Sequence, residues 1–316
     1  MTYGEPERAE PGGSDARAAA KERARELRTL HRKQEFRRRL MLQLSVLGGA
    51  LVVIALVAVT LMTFNQKPPR GPLNMASDGI KIGADLTAVR TMGVAADGTP
   101  TPFETNPPGV IDIRLYVDYL CGNCGTFEKN NSEQLRTWVS SGAATLEIHP
   151  VALLTTKSSG TQYSLRAANA AACVAEFSPD AFFDFHESLF SDQPEEGSEG
   201  LSDDELLTRA VDAGVGNSSS IADCIEKRRF AAWVQAATVR ALNGPIPSAD
   251  IPAITTAPTV IVDGKRFQYT KDFDAKELAQ FVTDAEGDRF AAPAEPEPTP
   301  EPTPAPTPSP SGTPAP

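Results

Sequence analysis

The longest uncharged stretch of the chain divides it into two unequal parts. It runs from Leu40 to Phe64 and reads LMLQLSVLGGALVVIALVAVTLMTF, which is 25 positions without a charged side chain. At about 1.5 Å of rise per residue, a helix of this length spans a hydrocarbon core of roughly 30 Å. A buried core helix is the alternative, but a run this long and this uniformly apolar favours the membrane. We therefore predict one transmembrane helix at 40–64, in contact with membrane lipid.

The charges that flank this segment predict its orientation. Arg37, Arg38 and Arg39 precede it directly, whereas only Lys67 and Arg70 follow it closely. By the positive-inside rule, residues 1–39 form a cytoplasmic basic tail and everything after the span is extracytoplasmic. A cleaved signal peptide fits poorly, because the preceding region is too long and no small-x-small cleavage site follows. The sequence predicts a single-pass protein of the cell membrane whose main domain lies where disulfides persist.

The charge of the remaining chain limits its partners. The net charge is −11 over 316 residues, and residues 1–39 hold 11 basic and 7 acidic side chains, which leaves −15 for the rest. Nucleic-acid binding requires a basic face. We therefore expect no nucleic-acid partner.

Proline-rich segments mark the two ends of the extracytoplasmic domain. The sequence NQKPPRGPL begins a linker that we place at 65–76, and residues 293–316 alternate Pro with Thr, Glu, Ala and Ser. Such a composition cannot build a hydrophobic core, so we predict a disordered Pro/Thr-rich tail at 289–316. The folded domain is then expected at 77–288.

The order of elements inside this domain follows from its patterns. Apolar and polar residues alternate over 111–117, which is typical of a strand, and a helix ending at Gly142 follows. A second strand at 144–151 precedes a long helical block. Asp263-Gly264 between two β-rich runs predicts a hairpin of 259–262 with 265–269. An amphipathic helix at 273–285 closes the domain.

Two of the four cysteines stand where the first strand meets the first helix. Cys121 and Cys124 are separated by Gly122 and Asn123 in YVDYLCGNCGTF. Unpaired N–H groups and the positive end of a helix dipole favour a thiolate at such a junction. Cys121 should therefore have a lowered pKa and act as nucleophile, with Cys124 within reach to resolve a mixed disulfide.

Two other roles for this pair have less support. A zinc site needs about four ligands, and Cys173, Cys224, His149 and His186 are isolated in the sequence. We therefore predict no metal. A purely structural disulfide across so short a loop would stabilise the fold little, because loop-closure stabilisation grows with loop length.

The order of elements and the strand–CxxC–helix junction resemble the thioredoxin fold. The helical block between its halves is similar to that of the DsbA-like thiol–disulfide oxidoreductases, especially the membrane-anchored actinobacterial kind. The most specific pieces are DYLCGNC, RAANAAACVAEF, FFDFHESLF and TTAPTVIVDGK. The resemblance implies an α/β thioredoxin-like fold over 77–288 with a helical insertion at about 157–243, preceded by the transmembrane helix.

The same resemblance assigns roles to individual residues. Cys121 is the expected nucleophile and Cys124 the resolving cysteine. The cis-proline of the family maps to Pro258, and the backbone of Ala257 before it would pair with an extended substrate segment. From the residues alone, a trans proline that begins an edge strand is the alternative.

The sequence does not decide which acidic residue accepts the proton during thiol–disulfide exchange. The buried acid that thioredoxin has six residues before its nucleophile is Leu115 here. Asp118 is the nearest acid, and it is either a proton acceptor or a solvated residue at the end of the strand. The dipeptide Gly122-Asn123 offers no cation to hold a thiolate.

The two remaining cysteines are expected to pair. With the CxxC closed locally, the remaining pair is Cys173–Cys224, both on predicted helices of the inserted block. Two buried free thiols are the alternative.

The function predicted is that of a membrane-anchored, extracytoplasmic oxidoreductase that forms disulfides in exported proteins and needs no cofactor. The resemblance implies a membrane redox partner of the vitamin K epoxide reductase type. A reductase or isomerase of the same fold is one alternative, and a non-catalytic binding module on a thioredoxin scaffold is another.

Overall fold

The computed structural model describes Lys21, Met41, 44–45, 47–49, 51–58, 70–102, 105–270 and 272–291. Side chains are described as far as residue 287. The chain divides into two compact units, Met1–Lys67 and Pro68–Pro316. In the first unit residues 51–58 are helical. Among the described residues, no helix is both long enough and apolar enough to cross a membrane. The predicted span at 40–64 lies partly outside these residues, as do nearly all of the basic tail and most of the Pro/Thr-rich tail, so these three assignments stay predictions.

The second unit is built on one mixed sheet of five strands in the order β1-β3-β2-β4-β5. The central strands β2 and β3 are parallel, which brings their carboxyl ends to one edge of the sheet. β1 pairs antiparallel with β3, and β4 pairs antiparallel with β2. The strands are β1 (Ile80–Ile82), β2 (Ile111–Val117), β3 (Ala144–Pro150), β4 (Thr259–Val262) and β5 (Lys265–Arg266).

Among the described residues of this unit, seven α-helices accompany the sheet. They are α1 (Gly122–Ser140), α2 (Tyr163–Phe177), α3 (Phe182–Ser191), α4 (Asp203–Asp212), α5 (Ser218–Glu226), α6 (Ala231–Asn243) and α7 (Ala275–Ala291). α1 follows β2 directly, and α2 to α6 form one consecutive helical block between β3 and β4. This arrangement confirms the predicted thioredoxin-like α/β fold.

Helix α2 is the centre of the inserted block. Its alanine-rich sequence YSLRAANAAACVAEF is buried at every position except the last. Small side chains let neighbouring helices approach closely, and α2 packs against α3, α4, α5 and α6. Cys173 of α2 and Cys224 of α5 are joined by a disulfide, and both are fully buried.

Apart from shifts of one or two residues at element ends, the structure differs from the sequence-based boundaries in three places. Residues 70–76, predicted as the end of the linker, belong to the folded unit, because Arg70 pairs with Glu176 at 2.5 Å and Met75 is fully buried. β5 has only two residues instead of the predicted five. α7 begins at Ala275 and runs beyond the predicted end at 285.

Candidate active site

Cys121 is the residue that connects β2 to α1. It has an extended backbone at the N-cap of α1, and its own N–H donates to the Asp118 carbonyl at 3.0 Å. The residue as a whole is only 8% exposed, so Cys121 is nearly buried at this helix end. The carboxyl end of a central strand thus places the first cysteine at the helix N-terminus.

The pKa of the Cys121 thiol is lowered from its ordinary value. The largest cause is a hydrogen bond from the Cys124 thiol, and the backbone N–H groups of Cys124 and Asn123 add to it. Partial burial and the Asp118 carboxylate oppose the shift. The lowered pKa agrees with the predicted effect of the helix end, although the larger contribution comes from the neighbouring thiol.

Cys124 is in the opposite situation. It lies one turn into α1 and is fully buried, and burial raises its pKa well above the ordinary thiol value. Both cysteines are free thiols in this structure. The pair is therefore asymmetric, with a nearly buried sulfur that favours the thiolate and a fully buried sulfur that favours the thiol.

Asp118 is fully buried below this pair, so a solvated position at the end of the strand is excluded. Its carboxylate accepts hydrogen bonds from the backbone N–H of Leu120 at 2.9 Å, the backbone N–H of Leu154 at 2.8 Å, and the Ser164 hydroxyl. Burial raises the pKa of Asp118, and these hydrogen bonds lower it in part.

The segment before β4 lies directly opposite Cys121. The Ala257–Pro258 peptide bond is cis, and the Cys121 thiol donates to the Ala257 carbonyl at 3.3 Å. The Tyr269 hydroxyl donates to the Pro258 carbonyl. Burial, aided by the negative charge of the two cysteines, raises the pKa of Tyr269 to about 12. The sulfur thus faces a backbone segment that Tyr269 holds in place.

Three residues at this site escaped the sequence analysis. Gln193 and Glu196 come from the segment after α3, and Tyr269 was assigned only to the hairpin. The Gln193 amide donates to the carbonyls of Tyr119 at 3.1 Å and Cys121 at 2.9 Å. Contacts between positions about seventy residues apart carry no local sequence signal, so only the structure brings this loop to the cysteines.

The two histidines considered as metal ligands have other surroundings. His186 is buried between the Tyr119 hydroxyl at 3.2 Å and the Glu128 carboxylate at 3.0 Å. His149 is stacked on Tyr116, with ring centroids 4.2 Å apart. Within the part of the chain that the structure describes, no group of three His, Cys, Asp or Glu side chains could hold a metal ion.

A strand–CxxC–helix junction opposite a cis-proline is matched by a known family. The family model described as Thioredoxin matches residues 110–284, which is more than half of the chain. The chain belongs to the thioredoxin family. No curated protein sequence matches it.

Solved structures place this thioredoxin-family member among the DsbA-like enzymes. The oxidised and reduced crystal structures of Mycobacterium tuberculosis DsbA are 28% and 25% identical to it, each with a TM-score of 0.50. These matches cover 66% and 68% of this chain and 93% and 98% of those chains. The reduced disulfide bond oxidoreductase DsbG of the same organism is 30% identical over 60% of this chain and 87% of its own, with a TM-score of 0.46. The protein is a DsbA-like thiol–disulfide oxidoreductase of the thioredoxin family.

Proposed function

We propose that this enzyme oxidises thiols of exported proteins outside the cytoplasm, while anchored in the membrane through 40–64. The observation that supports this direction is the asymmetry of the two cysteines. A sulfur that favours the thiolate is a good leaving group, and its stabilisation in the reduced enzyme favours electron flow from substrate to enzyme. Cys121 has that property and Cys124 does not.

The reaction starts from the enzyme with Cys121 and Cys124 joined. A substrate thiolate attacks the Cys121 sulfur, the Cys121–Cys124 bond breaks, and Cys124 leaves and takes up a proton. A second substrate thiolate then attacks the substrate sulfur of the mixed disulfide, and Cys121 departs as a thiolate. Two electrons pass from the substrate dithiol to the enzyme, one substrate proton resides on Cys124, and the other goes to solvent.

The Ala257 carbonyl and the neighbouring backbone are placed to hold an extended substrate segment beside the Cys121 sulfur. Asp118 is placed to accept a proton when Cys124 is deprotonated again. Reoxidation then requires an electron acceptor, and we propose a quinone-coupled membrane protein of the vitamin K epoxide reductase type. Within the enzyme itself, the two electrons are carried by the Cys121 and Cys124 sulfurs.

The reduction potential of the CxxC tests the direction. We expect a value between that of the strongest DsbA-type oxidant, about −120 mV, and that of thioredoxin, about −270 mV. Equilibration with glutathione buffers measures it, and refolding of reduced ribonuclease measures the activity. A potential at or below about −270 mV would contradict the proposed oxidase function and support a reductase instead.

Substitution of each cysteine tests the division of labour. Cys121→Ser should abolish exchange, whereas Cys124→Ser should accumulate mixed disulfides with exported proteins, because its nucleophile cannot be resolved. Non-reducing electrophoresis of the two variants distinguishes them. If Cys121→Ser is the variant that traps substrates, the roles are reversed. If the wild type itself exchanges no disulfides, the fold serves as a binding module.

A further inference from the structure

The loop between α3 and α4 is seated on the N-terminal end of α1. Its Gln193 amide bridges the carbonyls of Tyr119 and Cys121, as described above. A Cβ atom added at Gly125 would lie 2.1 Å from the Gln193 side-chain oxygen, so a larger residue there would displace this side chain. The absence of a side chain at Gly125 therefore lets the loop reach the active-site helix.

This loop brings a carboxylate to the first N–H of the helix. The Gly122 N–H donates to a Glu196 carboxylate oxygen at 3.4 Å. The next two N–H groups, of Asn123 and Cys124, serve the Cys121 sulfur. The N-terminus of α1 thus serves two negative groups. The Glu196 carboxylate is present in both redox states, whereas the Cys121 thiolate exists only in the reduced enzyme.

We propose that Glu196 is a positioning residue that shares the N-terminus of α1 with Cys121 and limits how strongly this helix end stabilises the Cys121 thiolate. The inference rests on the proposed function and deepens it, because it names a residue that sets the oxidising power of the site. A carboxylate and a thiolate at the same helix end repel each other, and both draw on the same partial positive charge. Glu196 therefore destabilises the reduced enzyme relative to the oxidised enzyme, which has no thiolate.

The other groups facing Cys121 are less suited to tuning. Asp118 is fully buried and holds two backbone segments together, Cys124 is the reaction partner, and Tyr269 fixes the Pro258 carbonyl. Glu196 is exposed, so its charge can be removed without opening the core.

The test is Glu196→Gln in the full-length protein, which keeps the hydrogen-bond acceptor and removes the charge. We expect the Cys121 pKa, taken from the pH dependence of alkylation by iodoacetamide, to fall by about 0.5, the size of a solvent-screened interaction between two unit charges near a protein surface. At pH values above that pKa, the equilibrium with glutathione should shift about threefold towards the reduced enzyme. The variant should be more oxidising than the wild type.

Glu195→Gln is the matched control, because Glu195 is the exposed neighbour of Glu196 and loses the same charge. It should move the Cys121 pKa by less than half as much. An unchanged pKa in Glu196→Gln, or an equal shift in both variants, would overturn the role of Glu196. If instead wild-type Cys121 titrates like a free thiol and exchanges no disulfides, the proposed function fails whatever the variants do.

Discussion

Two cysteines three positions apart acquire opposite chemistry from their surroundings. Cys121 is at a helix end and 8% exposed, whereas Cys124 is inside the first turn and fully buried. Both residues are cysteines of the same helix end, so the difference between their pKa values comes from burial and hydrogen bonding. The same reasoning applies to Asp118, whose burial raises its pKa.

Asp118→Asn is therefore expected to change how stability depends on pH. A raised pKa in the folded state means that the folded wild type binds more protons than the unfolded chain from about pH 4 up to that pKa, so its stability falls as pH rises through this window. Each pKa unit of the shift removes about 1.4 kcal/mol from the wild type, and this loss should be absent in the variant. Urea unfolding from pH 4 to 8 measures it.

The matched control is Asp97→Asn, since Asp97 is exposed. It should leave the wild-type slope in place. We also expect Asp118→Asn to slow resolution by Cys124, which stopped-flow measurement of mixed-disulfide decay would detect. A variant with the wild-type pH slope and the wild-type resolving rate would contradict both roles.

At the scale of elements, local patterns predicted what local interactions determine. The alternation in 111–117 gave β2, and Asp263-Gly264 gave a turn in which both residues have positive φ, 47° and 78°. The predicted strand at 265–269 is shorter in the structure: Lys265 and Arg266 pair in register with β4, and beyond them the Phe267 N–H donates to the Val260 carbonyl at 2.9 Å. The loop carrying Gln193 and Glu196 was missed because its position depends on the packing of α3 against α1 and of α4 against α3, which no short sequence window records.

The disulfide between α2 and α5 is expected to support the helical block. Cys173 and Cys224 are 51 residues apart, and closing such a loop stabilises the fold by about 4 kcal/mol on the chain-entropy model. The double variant Cys173→Ala/Cys224→Ala should lose up to that free energy of unfolding while retaining the CxxC. Denaturant unfolding measures the loss.

Its control is wild-type protein unfolded under reducing conditions, which should reproduce the destabilisation without a sequence change. Peptide mapping under non-reducing conditions should also recover a Cys173–Cys224 peptide. A Cys121–Cys173 peptide would be incompatible with this arrangement.

At the scale of the whole molecule, the folded unit begins earlier than proline content indicated. Residues 70–76 follow a proline-broken stretch, yet Leu73 donates its N–H to Glu176 at 2.6 Å and Met75 is fully buried. Proline content marks where helices and strands stop, but it does not show whether an irregular segment packs against a neighbouring helix. The end of a linker is therefore poorly predicted by composition.

Two truncations test this boundary. Removal of residues 1–67 should leave stability and exchange close to those of the whole protein, because the second unit begins at Pro68. Removal of residues 1–76 should cost at least about 2 kcal/mol, the low end for losing one buried methionine. Thermal unfolding of both proteins decides the matter, and equal stability would show that 70–76 contributes nothing.

The predicted orientation can be tested in intact cells. Single cysteines placed at positions 10 and 310 should differ in labelling by a membrane-impermeant maleimide, with only position 310 labelled. Labelling of position 10 alone would show the reverse orientation.

The buried bond between Cys173 and Cys224 also bears on how each copy of the protein matures. A newly made chain carries four thiols, and two of them are fully buried once the helical block has closed. That bond must therefore form before or during closure, so an immature copy is itself a client for thiol oxidation. The finished enzyme then keeps one disulfide beyond the reach of its own Cys121.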